Sequence, residues 1–325
     1  MEDNIELYDV AIIGGGPGGM TAGIYSGRGL LKTLVVDKGA LGGAVLLSER
    51  FDNFPGFPGG ISSFELAQRM EEQLREYNVD IVLDDIKSLR FLDDTPLFKL
   101  IGNEKTYYAK SVILASGSTP RPLKAKGAKD LLGKGISVCA VCDGAFYRDM
   151  DVAVVGGGDS AVEEAIYLTK FVNSVRIIHR RDQLRARTEI ANEAMKHPKI
   201  SFVWDSLVEE VMGDDRVTGI KVRNVKTDEI TELDVSGVFV YIGATGNTSF
   251  IDVPLGLDKW GYVMVQHLGE TNIPGLYAIG DVRWEPYKQA IIACGQGAQA
   301  ALTADKYIKT IPDEILEKYG AAMAP

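Results

Sequence analysis

The chain has 325 residues and a formal net charge of −10, from 35 Lys and Arg against 45 Asp and Glu. So acidic a surface repels phosphate backbones and anionic bilayers, which excludes general nucleic-acid or membrane binding; 46% hydrophobic and 25% charged residues exclude a disordered or fibrous chain. The length predicts two domains, and 36 glycines exceed the average usage of about 7% without a collagen-like period, so they mark particular backbone sites. No uninterrupted apolar run is long enough to span a bilayer, and the opening MEDNIELYDV carries acids where a signal peptide needs basic residues, which predicts a cytoplasmic protein.

The run Asp9–Gly14 reads as a strand, a helix follows to about Gly29, and Lys32–Asp37 is a second strand that completes a βαβ unit. Between strand and helix, Gly14-Gly-Gly16-Pro17-Gly-Gly19 fits G-x-G-x-x-G, whose glycines allow a tight turn and let a pyrophosphate reach the helix N-terminus. Asp37 ends the second strand and can accept a ribose hydroxyl. Ser62–Tyr77 has helical spacing, with Phe64, Leu66, Ala67, Met70 and Leu74 on or near one face. Residues 80–109 read as short strands with turns at Asp93-Asp94 and Gly102-Asn103, and they lead into a buried strand, Ser111–Ala115, closed by Ser116-Gly117.

Cys139-Ala-Val-Cys142 is followed directly by Asp143. Two thiols at this spacing can close a readily exchanged disulfide, and a neighbouring carboxylate can carry the proton that thiol chemistry needs. A zinc site would need two further ligands, and neither Cys294 nor the scattered His179, His197 and His267 supply a second close pair, so no metal is expected. Cys294, among small apolar neighbours, reads as core.

The first plan then returns. Asp151–Val155 is a strand, Gly156-Gly-Gly158-Asp159-Ser160-Ala161 is the G-x-G-x-x-A variant of the turn, Asp159–Phe171 is a helix and Ser174–His179 the next strand. That strand ends in His179-Arg180-Arg181, with Arg185 and Arg187 beyond, instead of an acid. Clustered guanidiniums bind a 2′-phosphate that a carboxylate would repel, which favours NADP(H) over NAD(H). A meander is expected through Val208–Val225, Glu229–Leu233 and Val235–Tyr241, and after it a strand at Gly275–Ile279, Gly280-Asp281 and a helix from Gln289 to about Ile308.

Two copies of one plan predict an α/β protein of two Rossmann-like, three-layer dinucleotide-binding domains. The linker-like stretches Gly117–Pro122 and Ala244–Ser249 flank the second copy, which places residues 119–247 as a domain inserted into a first one made of 1–118 and 248–325. The dithiol and the nicotinamide site then share the inserted domain, and two short linkers would let it rotate so that each reaches the dinucleotide of the first domain in turn.

In order and spacing, GGGPGG, Asn53-Phe-Pro-Gly56, Cys139-Ala-Val-Cys-Asp143, GGGDSA, His179-Arg-Arg181 and Gly280-Asp281 resemble the low-molecular-weight thioredoxin reductases across nearly the whole chain. The resemblance implies FAD in the first domain, at Gly14, Gly16, Pro17, Gly19, Asp37, Gly43, Asn53, Ala115, Gly117, Gly280, Asp281, Lys288, Gln289 and Ala290. It implies NADPH in the second, at Gly156, Gly158, Asp159, Ser160, Ala161, His179, Arg180, Arg181 and Arg185. It further implies that Cys142 faces the flavin, that Cys139 attacks the disulfide of thioredoxin, that Asp143 is the general acid/base, and that the protein is a homodimer. Two positions depart from the family pattern: Gly42-Gly43 is followed by Ala44 rather than Gln, and Lys288 stands where an arginine is usual. Within enzymes the rivals are a flavin-dependent dithiol oxidase, a reductase of another disulfide, and a ferredoxin–NADP reductase, whose chemistry needs no C-x-x-C; a non-catalytic flavin-binding sensor is the rival from another class.

Overall fold

Short runs rich in Val, Ile and Leu, each stopped by glycine or a polar residue, pair side by side to form two main sheets, one mixed, with Ser88–Phe91, Phe98–Ile101 and Thr106–Leu114 antiparallel in succession, and one wholly parallel. The computed structural model describes residues 7–320 apart from Glu49, Asp94 and Pro286, so the acidic residues 1–6 and Asp94 of the Asp93-Asp94 turn lie outside the described residues. The chain divides into two compact units, one of Met1–Leu46, Phe54–Thr119 and Thr245–Pro325 and the other of Leu47–Asn53 and Pro120–Ala244.

In the first unit the strands run Val79–Leu83, Thr33–Asp37, Leu7–Ile13, Thr106–Leu114, Phe98–Ile101, Ser88–Phe91, and Leu276–Ala278 pairs in parallel with the end of Thr106–Leu114. Period-2 alternation sends Val10 and Ile12 to one face of Leu7–Ile13 and Ala11 and Ile13 to the other. Val10 and Ile12 pack with Met20, Leu74 and Ala301 from the helices Pro17–Arg28, Ser63–Arg75 and Ala290–Ile308. Ala11 and Ile13 pack with Phe98, Leu100 and Val263 on the opposite side.

The second unit repeats the arrangement. Its parallel strands run Ile136–Ser137, Gly237–Tyr241, Asp151–Gly156, Ser174–Ile178, Ile200–Val203, and a separate antiparallel sheet holds Ser206–Met212, Gly219–Asn224 and Ile230–Asp234. The helix Asp159–Leu168 covers one face through Ala161, Ala165 and Leu168. Gly237–Tyr241, expected in the meander, is instead the strand between Ile136–Ser137 and Asp151–Gly156. Its residues Val238, Phe239 and Val240 are all buried, as a strand covered on both faces requires.

The helix read at Ser62–Tyr77 spans Ser63–Arg75, and the Ser62 side chain caps it by accepting from the Glu65 N–H at 3.1 Å. Leu66, Ala67 and Leu74 are buried as expected, whereas Phe64 is 71% exposed. At 3.6 residues per turn, a position two before Leu66 lies on the far side of the helix. Helices at Thr188–Lys196 and Asp313–Gly320 were outside the sequence expectations. Among the described residues no helix is long and apolar enough to cross a membrane.

One carboxylate organises the loop before Thr106–Leu114. Asp84 is 5% exposed and accepts hydrogen bonds from the N–H groups of Asn103 (2.8 Å), Glu104 (3.2 Å) and Lys105 (3.2 Å) and from the Tyr107 hydroxyl (3.0 Å). Burial opposes its ionisation, but the hydrogen bonds outweigh burial and hold its pKa below the ordinary carboxylate value, while burial and the Asp84 charge push the Tyr107 phenol up to about 12. Asp84→Asn is expected to cost about 1–3 kcal/mol in denaturant unfolding at pH 7. Because the folded pKa is depressed, this contribution is present above the unfolded carboxylate pKa and lost as pH falls through the folded one. The gap between wild type and variant therefore closes in acid.

Candidate functional site

Each glycine-rich turn begins where a strand ends against its neighbour. At Gly14 (φ 111°) a Cβ would lie 2.3 Å from the Ala115 carbonyl oxygen, and at Gly19 a Cβ would lie 1.8 Å from the Gly14 carbonyl oxygen. The middle residue differs: a Cβ on Gly16 would meet nothing nearer than the Gly43 Cα at 4.0 Å. The first and third glycines thus serve close packing and the second faces open space, the division of labour a pyrophosphate turn requires. The helix Pro17–Arg28 starts here with no side-chain cap and with Pro17 at its first turn, so its leading N–H groups are available to an anion.

Around this turn the first unit gathers several expected residues. Gly43 abuts Gly16, since a Cβ on Gly43 would lie 3.1 Å from the Gly16 Cα. Asp37 ends its strand with Oδ2 accepting from the Gly15 N–H at 2.6 Å and Oδ1 from the Gly39 N–H at 3.0 Å, which fixes the carboxylate beside the turn. Ala115 follows the neighbouring strand, and Gly117 takes φ 70° with open space at its Cβ position. Gly280 and Asp281 form a short turn after Leu276–Ala278, and the Gly280 N–H donates to Gln296 Oε1 at 2.6 Å. Burial raises the Asp281 pKa, and the Lys288 ammonium opposes this. Lys288 donates to Ser118 Oγ at 2.9 Å and to the Tyr262 hydroxyl at 2.8 Å, with its ammonium 4.4 Å from the Tyr262 ring centre. Gln289 precedes the helix Ala290–Ile308, which begins at Ala290 without a side-chain cap. Asn53 falls in Leu47–Asn53, which groups with the second unit and not with these residues. Cys294 is buried with Sγ 3.6 Å from the Pro17 carbonyl oxygen, and burial raises its thiol pKa.

The second unit reproduces the turn with different chemistry at the strand end. A Cβ on Gly156 would lie 2.5 Å from the Tyr241 carbonyl oxygen and 2.7 Å from the Ala161 Cβ, whereas a Cβ on Gly158 would meet only Arg185 Nη2 at 4.0 Å. Where Asp37 binds the first turn, the His179 ring packs under Gly157, so near that a Cβ there would lie 2.3 Å from Nδ1. Burial, followed by the charges of Arg185 and Arg181, lowers the His179 pKa, so the ring is neutral and the positive charge resides on the arginines. Asp159 and Ser160 open the helix Asp159–Leu168 and are exposed. Asp159 accepts from the Arg187 N–H at 2.7 Å, and the Arg187 guanidinium pairs with Glu163 at 2.8 Å. Arg176 donates to the Asp234 carbonyl at 2.7 Å. Among the described residues, Arg180, Arg181 and Arg185 form no ion pair within 4.0 Å; Arg185 stands against the open turn, and the charges of all three act on His179 beneath it.

Cys139 and Cys142 lie in the same unit. Cys139 and Cys142 form a disulfide with a Cα–Cα distance of 5.3 Å, and Cys139 is the N-cap of the four-residue helix Ala140–Asp143. The Cys142 N–H donates to Cys139 Sγ at 3.2 Å, which places a backbone amide on one sulfur of the pair. Asp143 Oδ2 accepts from Ser137 Oγ at 2.6 Å, and Ser137 Oγ accepts from the Cys139 N–H at 3.0 Å. One hydroxyl therefore links the carboxylate to the backbone of the redox pair. Among the described residues no group of three or more His, Cys, Asp or Glu side chains is placed to hold a metal ion.

Ser137, Tyr241, Glu164 and Gln296 carry no motif and were missed from sequence. The Tyr241 hydroxyl accepts from the Ala140 N–H at 2.6 Å, joining positions 101 residues apart, and such long-range partners leave no spacing to read.

The model of the pyridine nucleotide-disulphide oxidoreductases matches residues 8–297. The thioredoxin reductase of Peptoclostridium acidaminophilum is 41% identical over 310 residues, 93% of this chain and 98% of that one. A bifunctional thioredoxin reductase/thioredoxin of Mycobacterium leprae is 40% identical over 304 residues, 93% of this chain and 66% of that one. The crystal structure of thioredoxin reductase from Streptococcus pyogenes superposes with a TM-score of 0.88 at 40% identity, covering 94% of this chain and 99% of that one.

Glu164 lies on the nucleotide-turn helix with Oε2 buried and without a hydrogen-bond partner among the described residues. Burial, reinforced by the Glu163 charge, pushes its pKa from 4.5 to about 7. With the folded pKa above the unfolded one, its contribution to stability is present below about 4.5 and is lost as pH rises through about 7. Glu164→Gln is expected to raise stability relative to wild type by on the order of 2–3 kcal/mol at pH 8 and by little at pH 4.5, as read from urea unfolding at the two pH values.

Proposed function

The chain belongs to the pyridine nucleotide-disulphide oxidoreductases, and from that premise we propose that it is a thioredoxin-disulfide reductase that passes electrons from NADPH through FAD to its Cys139–Cys142 disulfide and on to thioredoxin. The observation that carries this reading is a disulfide built into the N-cap of a short helix within a unit that also holds an arginine-flanked nucleotide turn. The relatives named above support thioredoxin as the partner.

The two turns fit two different dinucleotides. Gly14, Gly16, Pro17, Gly19, Gly43, Ala115 and Gly117 shape the space for FAD, Asp37 meets its ribose, and Gly280, Asp281, Lys288, Gln289 and Ala290 complete the set; Asn53 joins them on the family resemblance. A carboxylate at Asp37 excludes a 2′-phosphate from this turn by repulsion. Gly156, Gly158, Asp159, Ser160 and Ala161 form the NADPH turn above the neutral His179, with Arg180, Arg181 and Arg185 on the 2′-phosphate. Bound FAD supplies the step between two-electron hydride chemistry and the protein disulfide.

The chain's own residues then handle sulfur and protons. Reduction breaks the Cys139–Cys142 bond, and the two electrons and two protons taken up give two thiols. Cys139 as thiolate attacks the thioredoxin disulfide, and Cys142 resolves the mixed disulfide and closes the ring again. Asp143, held by Ser137, carries a proton between the thiols and the leaving sulfur. Ala44 removes an amide that the family usually presents to the flavin, and Lys288 puts a point charge in place of a planar fork, so the flavin's potential is where this chain should differ from its relatives. A homodimer and a cytoplasmic location complete the proposal.

Anaerobic titration should bleach a yellow flavoprotein with NADPH, and added thioredoxin should restore the colour. In Cys139→Ser, NADPH still bleaches the flavin while thioredoxin reduction falls at least a thousandfold; loss of both would point to a different chemistry. Replacing Arg180 and Arg185 together by Ala is expected to raise the KM for NADPH by roughly 10- to 100-fold while moving that for NADH less than threefold, which steady-state kinetics with each nucleotide checks.

A further inference from the structure

The helix that carries the redox pair is one turn long, too short to hold its own shape. Its first residue, Ala140, is fully buried, so the Ala140 N–H needs an acceptor. That acceptor is the hydroxyl of Tyr241, at 2.6 Å. Tyr241 ends the strand Gly237–Tyr241, where it is registered against Gly156, and its carbonyl oxygen is the atom that bars a side chain from Gly156. The same residue therefore abuts the first glycine of the nucleotide turn through its backbone and the redox helix through its side chain. Burial, then the Glu164 and Asp143 charges, keep the phenol protonated, so it acts as a neutral acceptor.

We propose that Tyr241 is a positioning residue for the dithiol: its hydroxyl pins the start of the redox helix to the strand beneath the nucleotide turn, so that Cys139 and Cys142 stay in closing geometry after the disulfide is reduced. In the oxidised protein the S–S bond itself holds the two residues together. Once that bond has taken up two electrons and two protons, the hydrogen bonds of the helix and the packing of the buried Ala140 keep them apposed. The Asp143 N–H to Cys139 carbonyl bond (3.1 Å) lies within the helix, and the Cys139 N–H to Ser137 bond holds it to the two-residue edge strand that immediately precedes it, whereas the Tyr241 bond ties it to the inner strand Gly237–Tyr241, about a hundred residues away in the chain. Loosening this anchor enlarges the conformational freedom of the dithiol more than that of the disulfide and lowers the effective concentration of one thiol toward the other. The disulfide is then favoured less.

This inference rests on the redox pair assigned above, and its test does not use thioredoxin. The FAD-loaded protein is equilibrated in dithiothreitol redox buffers under argon, quenched with an alkylating agent and scored for oxidised and reduced Cys139–Cys142. Tyr241→Phe, which removes only the hydroxyl, is expected to shift the equilibrium three- to tenfold toward the dithiol, where tenfold corresponds to about 30 mV. Ala140→Pro removes the donor instead. Proline is tolerated at the first helical position, and Cys139 before it is already extended (φ −144°, ψ 98°), so this variant should give a shift of the same sign. The double variant should shift no further than the larger single one. Tyr8→Phe, which deletes a hydroxyl bonded to Asp80 in the other unit, should leave the equilibrium unchanged. An equilibrium within 1.5-fold of wild type in Tyr241→Phe, an additive double variant, or an equal shift in Tyr8→Phe would overturn the proposal. If the buffers show the shift but thioredoxin oxidises neither protein, the reading of the substrate fails and the positioning assignment stands.

Discussion

The constraint on which both units depend is steric: where a central strand turns into its helix, the neighbouring strand's carbonyl stands too close for any side chain. Ala115 imposes this at Gly14 and Tyr241 imposes it at Gly156. With φ at 111° and 152°, glycine alone meets the demand at little cost. The sharp turn that results aims the first N–H groups of the helix across the end of the sheet, and the middle glycine keeps the approach clear. Binding geometry is therefore set by backbone packing before any polar side chain is considered.

Chemistry is then added at one position in each copy. The residue ending the second strand leans on the second residue of the turn, as Asp37 does on Gly15 and His179 does on Gly157. An acid there accepts hydroxyls. A neutral ring there serves as packing, and in the proposed reading recognition falls to the arginines that follow. Of the five arginines from Arg176 to Arg187, Arg176 is used by the Asp234 carbonyl and Arg187 by Asp159 and Glu163, so the local excess of positive charge comes down to three side chains in a chain of net charge −10. An acidic protein can thus hold a highly charged nucleotide through a small local field, without the long-range attraction that would recruit polyanions.

The features legible in the sequence were those written in local spacing. Both glycine turns, the strands beside them, the C-x-x-C pair and the change from acid to arginine each lie within a few residues of one another. Period-2 patterns also located Gly237–Tyr241 as a strand but not its sheet, because a strand in a parallel core and one in a meander share the same period and differ only in what covers them. Phe64 shares the apolar character of its helix's buried residues, but its angle, two positions before Leu66, turns it to solvent. Ser137, Tyr241 and Gln296 were invisible for a third reason: each is a common residue whose importance is a hydrogen bond to a backbone group positioned by the fold.

That third class bears most on how the redox pair works. A helix of four residues contributes almost no cooperativity of its own, so the geometry of Cys139 and Cys142 is borrowed from the groups that receive its amides. Ser137 takes the Cys139 N–H, the Cys139 sulfur takes the Cys142 N–H and Tyr241 takes the Ala140 N–H. Of these, the bond to sulfur changes character with oxidation state, because a thiolate is a far stronger acceptor than a disulfide sulfur. The other two do not depend on the charge of the sulfurs. A site built this way can alter the charge on one atom while the backbone around it stays fixed, and that combination allows a disulfide to open and close repeatedly without the helix that carries it unravelling.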